Sequence, residues 1–210
     1  MKIPSKIILA SSSPRRKELL EKLGLKFDTI PSLIDEIPLP GESPEDFALR
    51  VSAEKALSVS RNLGDDSVVI GADTIVVIEG EILGKPKDEK EAMAMLEKIS
   101  GKEHRVITGF SIIKPKADIL YRKFAESRVK IKILAPWEIE GYIKTGEPMD
   151  KAGAYGAQGI GAFMIEEIHG SYTNVVGLSL AQVVDVLTRL GVLKLFDEYI
   201  RKSKKGSGEN

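Results

Sequence analysis

Residues Leu9 to Lys17 read Leu-Ala-Ser-Ser-Ser-Pro-Arg-Arg-Lys, and this stretch constrains the chain more than any other. The apolar run Ile7, Ile8, Leu9 predicts a short buried strand. Ser13 stands where an N-cap is expected, and Pro14 where a first-turn proline is tolerated. Arg15 to Leu23 then reads as a helix, with Gly24 as its stop. A strand that turns at once into a helix start gathers free backbone N–H groups at the positive end of a dipole. Hydroxyls and two arginines lie alongside. Such a junction is an anion cradle whose natural guest is phosphate. An ordinary strand–helix junction with surface arginines explains the same residues without a ligand.

At 210 residues the chain fits one domain, here residues 1–203, with a polar glycine-rich tail at 204–210 left outside the fold as disordered. Basic and acidic residues balance at 31 each, so no global charge argues for a nucleic acid polymer or an anionic membrane. Any phosphate chemistry must come from local clusters. The absence of cysteine removes disulfides, thiolate nucleophiles and cysteine-based metal sites together. No run reaches the length of a membrane span, and the N-terminus lacks the apolar stretch of a signal peptide. The expectation is a cytoplasmic protein.

Along the chain, Phe27 to Ile30 reads as a second short strand, followed by a proline-rich loop carrying Asp35 and Glu36. Ser43-Pro44 opens a second helix running to about Leu63, before Gly64. Arg50 and Glu54 are four apart and pair on one face, with Lys55 adjacent; spacing alone reads all three as helix surface. Val68 to Ala72 predicts a central strand ending in Gly71-Ala72-Asp73-Thr74, which puts a carboxylate at a strand tip. A second run, Ile75 to Ile78, leads to a turn at Glu79-Gly80-Glu81. Asp88 and Glu91 have capping-box spacing for a helix to about Ile99, stopped by Gly101. Val106 to Ile113 and Phe124 to Leu134 read as long strands around a Pro115–Asp118 turn. A helix from Pro136 ends near Gly146, and the glycine-rich segment to Gly161 reads as backbone approaching a ligand. Phe163 to Ile168 and Leu178 to Leu190 read as a last strand and a closing helix.

No Walker-type loop is present, and Gly159-Ile-Gly161 is too short for a dinucleotide fingerprint. His104 and His169 lack metal-site spacing and read as structural or surface residues. No serine sits in a nucleophile elbow. What remains is a set of cations (Arg15, Arg16, Lys55, Lys85) and a set of carboxylates (Glu36, Glu54, Asp73, Asp150). Water attack on a phosphoric anhydride needs both kinds, carboxylates for a hard metal and for water, cations for charge growing on phosphate oxygens. Spacing alone does not show that they converge.

Five blocks in order carry a resemblance: Ala10-Ser-Ser-Ser-Pro-Arg-Arg16, Gly71-Ala-Asp-Thr74, Leu83-Gly-Lys-Pro86, Glu147 to Gly159, and Asn174-Val-Val-Gly-Leu178. Together they resemble the Maf family of nucleoside triphosphate pyrophosphatases, from about Ile7 to Leu190. The resemblance implies an α/β fold with a long mixed central sheet flanked by helices, two lobes and a cleft, similar to inosine triphosphate pyrophosphatases. It implies cleavage between the α- and β-phosphates with a divalent cation (magnesium, manganese or cobalt), and a homodimer. Asp73 matches the family's proton acceptor, and Lys55 and Lys85 its catalytic cleft lysines. Ser11, Ser13, Arg15 and Arg16 match the phosphate-binding loop. Glu36 matches an acidic cleft residue, assigned with Asp73 to metal or water. Arg15, Thr74 and Gln158 resemble the branch acting on dTTP and UTP. Leu178-Ser179-Leu180 departs from the family, which usually has proline in the middle. A preference for modified purine nucleotides, or a non-catalytic nucleotide-binding regulator of septum formation, stays open as an alternative.

Overall fold

The computed structural model describes residues 6–61, 63, 67–114 and 119–196. Gly64, the Pro115–Asp118 turn, the end of the 1–203 domain and the 204–210 tail fall outside them. The described elements are β1 (Lys6–Ala10), α1 (Pro14–Glu21), β2 (Phe27–Thr29), α2 (Pro44–Ser60), β3 (Ser67–Ile78), β4 (Glu81–Leu83) and α3 (Glu89–Ile99). They continue with β5 (Glu103–Lys114), β6 (Ile119–Ile131), α4 (Pro136–Lys144), β7 (Ile165–His169), α5 (Tyr172–Val176) and α6 (Leu180–Arg189). Short 3-10 turns at Glu147–Asp150, Ala152–Ala154 and Ile160–Met164 fill the glycine-rich segment.

One seven-stranded mixed sheet organises these elements, in the order β2-β1-β3-β5-β6-β7, with β4 hydrogen-bonded to β3. The β2-β1-β3 side is parallel and the remaining pairs are antiparallel. The expected α/β architecture is therefore present. The segmentation around Asp73 differs from expectation: Val68–Ala72 and Ile75–Ile78 are not separate runs but parts of one 12-residue strand, β3. Asp73 lies in its middle, in register with Gly109 of β5, rather than at a tip. In a strand a glycine marks close approach of another backbone.

That approach is made by α2. A Cβ at Gly71 would stand 2.2 Å from the Ser52 carbonyl oxygen, and one at Gly109 2.2 Å from the Ala48 carbonyl oxygen. The missing side chains let α2 lie directly on β3 and β5. Phe47, Ala48 and Val51 pack there on Ile75, Val77 and Ile107, while Ala56 and Val59 pack near Val69. The caps of α2 and α3 are as the sequence implied, though α2 ends at Ser60, short of Leu63. Ser43 Oγ accepts from the Asp46 N–H at 3.1 Å, and Asp88 Oδ1 from the Glu91 N–H at 2.8 Å.

Two apolar clusters cover the opposite face. Ile7, Leu9, Val68, Ile70, Ala72 and Phe110 pack under α1, α5 and α6. Val76, Ile78, Val106 and Val129 pack under α3 and α4. Between them the alternation is broken by Thr74 and Thr108, paired in register with Oγ1 atoms 2.9 Å apart. The interruption divides the face into two lobes. On the same stretch β3 has an open edge: β1 pairs only as far as Gly71, and β4 begins at Val76.

Gly109→Ala is expected to lower unfolding stability by about 3 kcal/mol, the upper range of overpacking penalties, because the clash is with backbone. A urea midpoint equal to wild type would show that α2 does not depend on this contact.

Candidate active site

At the open edge of β3 lies a cavity of about 560 Å³. Ser11 to Arg16 reach it from the β1–α1 junction, Glu36 from the loop after β2, and Lys55 from α2. Asp73 and Thr74 come from β3, and Lys85 from the segment after β4. Asp150, Lys151, Tyr155 and Gly156 come from the glycine-rich segment, and Gly177 from the end of α5. Among the sequence-predicted candidates, Gln158 and Glu54 are not on this wall. The Gln158 amide nitrogen donates to Glu18 Oε2 of α1 at 2.8 Å, and its Oε1 is buried with no partner. Glu54 is paired with Arg50, which is held further by Glu42 at 2.7 Å.

Lys55 is buried rather than on the helix surface. Its ammonium donates to Asp73 Oδ1 and meets Glu36 Oε1, both at 2.7 Å. A buried ammonium needs such partners, and α2 can offer it only because Gly71 and Gly109 let the helix down onto the sheet. Burial alone would raise the Glu36 carboxyl. The charge and hydrogen bond of Lys55, with Lys85 and Arg16 beyond, outweigh that effect and hold it below the usual carboxylate range. Asp73 is 3% exposed, and its Oδ2 has no hydrogen-bond partner. An orphaned carboxylate oxygen is costly, and here it belongs to a residue on the cavity wall.

Arg16 crosses the polar break in the sheet. Its Nε donates to the Gly177 carbonyl at 2.7 Å, Nη2 to Thr74 Oγ1 at 2.9 Å and Nη1 to Ser11 Oγ at 3.2 Å. Burial lowers its pKa, and the charges of Asp73 and Glu36 work against that. Thr108 Oγ1 donates to the Asn174 carbonyl at 2.9 Å, and Asn174 Nδ2 to the Val106 carbonyl at 3.0 Å. Ser13 occupies the N-cap position of α1 but makes no side-chain cap. Ser11 Oγ instead accepts from the Ser13 N–H at 3.2 Å. Thr108, Asn174 and Lys151 were not singled out from sequence. Asn174 and Lys151 did lie in recognisable blocks, whereas nothing local marks Thr108.

A cavity walled by five cations and three carboxylates suits a polyanion together with a metal. Among the described residues no three histidine, cysteine, aspartate or glutamate side chains cluster as a complete metal cage. The donor set fits the other way of holding a hard divalent ion, by one or two carboxylates plus substrate oxygens. Asp73 Oδ2 is free, and Glu36 shares the same ammonium.

Comparison with known proteins shows the family. Residues 6–190 match the family described as Maf-like protein, and the chain belongs to that family. It is 50% identical over 190 residues to a dTTP/UTP pyrophosphatase of Clostridioides difficile, covering 90% of this chain and 97% of that one. A dTTP/UTP pyrophosphatase of Geobacter sulfurreducens is 50% identical over 188 residues, with 90% and 98% covered. Among solved structures, a HAM1 protein from Coxiella burnetii is similar at 15% identity and a TM-score of 0.47, covering 88% of this chain and 98% of that one. Among the described residues no helix is long and apolar enough to cross a membrane.

Behind the cavity wall, Tyr155 Oη and His104 Nε2 are 2.7 Å apart, and His104 Nδ1 is buried without a partner. Burial pushes His104 down to about 4. A lowered histidine is neutral in the fold, so its contribution is complete above the unfolded value near 6.5 and is lost as pH falls from there towards 4. The loss amounts to about 3 kcal/mol. Urea midpoints from pH 7 to pH 4 are expected to fall more steeply for wild type than for His104→Gln; parallel curves would place the acid sensitivity elsewhere.

Proposed function

We propose that this chain hydrolyses nucleoside triphosphates, dTTP and UTP first, to the monophosphate and pyrophosphate. The observation that carries the reading is the buried, half-partnered Asp73 carboxylate on the wall of a cavity where five cations converge. The names of relatives at 50% identity, matched over 90% of the chain, support the choice of dTTP and UTP.

Lys55 ties down Oδ1 of Asp73, leaving Oδ2 as the base. Oδ2 takes a proton from water as the water oxygen bonds to the α-phosphorus. The bridging oxygen to the β-phosphorus then departs with pyrophosphate. Arg15 and Lys85 offset the charge on the phosphate oxygens, together with the N–H groups at the start of α1. Arg16, held on three protein oxygens, brings a fixed rather than a searching guanidinium. Asp73 and Glu36 would hold a divalent cation (magnesium, manganese or cobalt). When bound, it withdraws charge from phosphoryl oxygens as a Lewis acid. The resemblance alone assigns the base preference to Thr74 and Gln158; the Gln158 amide, able to donate and accept as a pyrimidine edge requires, would have to leave Glu18 to reach the cavity. The chain acts as a cytoplasmic homodimer on the family resemblance, and a monomer mass by light scattering would remove the dimer.

A nucleotide panel with each of the three metals tests the whole reading. Release of pyrophosphate is expected to be fastest from dTTP and UTP and to stop with chelator. Asp73→Asn is expected to reduce turnover by a factor on the order of 10² or more. Purine preference would overturn the substrate, binding without product would favour the regulator, and near-wild-type turnover in the variant would remove Asp73 as base.

A further inference from the structure

Asp150 stands between two cations from distant parts of the chain. Its Oδ2 accepts from Arg15 Nη1 at 3.2 Å, at the start of α1, and its Oδ1 from Lys151 Nζ at 2.6 Å. All three side chains line the cavity. Their exposure differs sharply. The Asp150 side chain is 59% exposed, whereas that of Lys151 is 10% exposed. Ion pairs with so open a partner are weak, so the carboxylate is readily exchanged.

Lys151 is fixed by more than Asp150. Its ammonium also donates to the Glu147 carbonyl at 2.7 Å. Its stem occupies the space where a Cβ on Gly156 would lie, 2.7 Å from Cε and 2.8 Å from Cδ. The loop thus omits a side chain at 156 and seats a lysine against the cavity wall. Glu147 holds that loop in turn: its carboxylate accepts from the N–H groups of Ile160 and Gly161 and from the Tyr142 hydroxyl.

We propose that Arg15 and Lys151 form a subsite for the polyphosphate end that leaves as pyrophosphate, and that Asp150 is its built-in competitor. The inference rests on the pyrophosphatase reading and extends it. For attack, the α-phosphorus must sit by Asp73, whose ammonium partner is Lys55. The Arg15–Lys151 pair therefore meets another part of the nucleotide, and two cations select its charged end. A phosphate group carries more charge and more acceptor oxygens than a single carboxylate, so it displaces Asp150 while the cations stay in place. With the subsite empty, Asp150 keeps Arg15 and Lys151 in register.

Calorimetric titration of the full-length chain with inorganic pyrophosphate and magnesium reads this subsite with or without turnover. Lys151→Met is expected to weaken pyrophosphate about tenfold, and Gly156→Ala to weaken it in the same direction by pushing the lysine stem aside. Asp150→Asn is expected to tighten it several-fold and to lower the KM for dTTP. Weaker binding in Asp150→Asn, or a raised magnesium requirement, would overturn the proposal by making Asp150 a cation ligand. Unchanged binding in a folded Lys151→Met would overturn it by making the lysine structural. If Lys151→Met fails to fold, the direction of change in Asp150→Asn decides alone. Absence of pyrophosphate release from dTTP by wild type would sink the pyrophosphatase reading separately.

Discussion

One buried ammonium, that of Lys55, decides what this cavity can be. Lys55 lies between Asp73 and Glu36 at 2.7 Å from each. Burying such charges costs several kcal/mol per ion before their attraction is counted, and apolar replacements of buried ion pairs are often at least as stable. Stability is therefore a poor explanation of the cluster. It makes better sense as a device that keeps two carboxylates close without mutual repulsion and leaves one oxygen of Asp73 unclaimed. The arrangement depends in turn on Gly71 and Gly109, because any side chain there would lift α2 and carry Lys55 away from the sheet.

The same registers of the sheet create the space. Along β3 the apolar alternation fails at Asp73 on the α2 face and at Thr74 on the other, and Thr108 continues the failure into β5. A strand that cannot bury apolar side chains at one level separates the packing on either side of it, hence the two clusters on one face. At that level β3 also lacks a strand partner on one edge, between the end of β1 and the start of β4. Side chains from both faces can then border one cavity, which a fully paired strand would forbid. This is the crevice expected at strand ends in open α/β sheets, reached here through an interrupted edge.

Local features were legible in the sequence, and non-local ones were not. The β1–α1 junction, the caps at Ser43 and Asp88 and the β-branched strands all follow from residues within a few positions of one another. The burial of Lys55 does not. Its spacing from Arg50 and Glu54 reads as helix surface, and what buries it are glycines on β3 and β5; the family resemblance alone put it in the cleft. Asp73 reads as a strand tip for the same reason, whereas Gly71 serves packing and not a turn. Capping followed chemistry that local pattern does not resolve: Ser11, not Ser13, takes the N–H of the turn and so joins the Arg16 network. Gln158 shows the converse, a family position whose amide is engaged by Glu18 away from the cavity wall.

Charge balance explains how so many cations share one cavity. Five cations around one cavity repel each other unless they are tied down, and each carboxylate on the wall holds at least one of them. Asp73 and Glu36 hold Lys55, and Asp150 holds Arg15 and Lys151. Arg16 is restrained differently, by neutral oxygens of Gly177, Thr74 and Ser11, which fix its direction without cancelling its charge. The ties therefore differ in how easily a phosphate group could replace them. Those at Asp73 are buried and persist, while the one at Asp150 is open to water and yields. On the proposed function, an anhydride would meet a framework already set, which is how preorganisation turns affinity into rate.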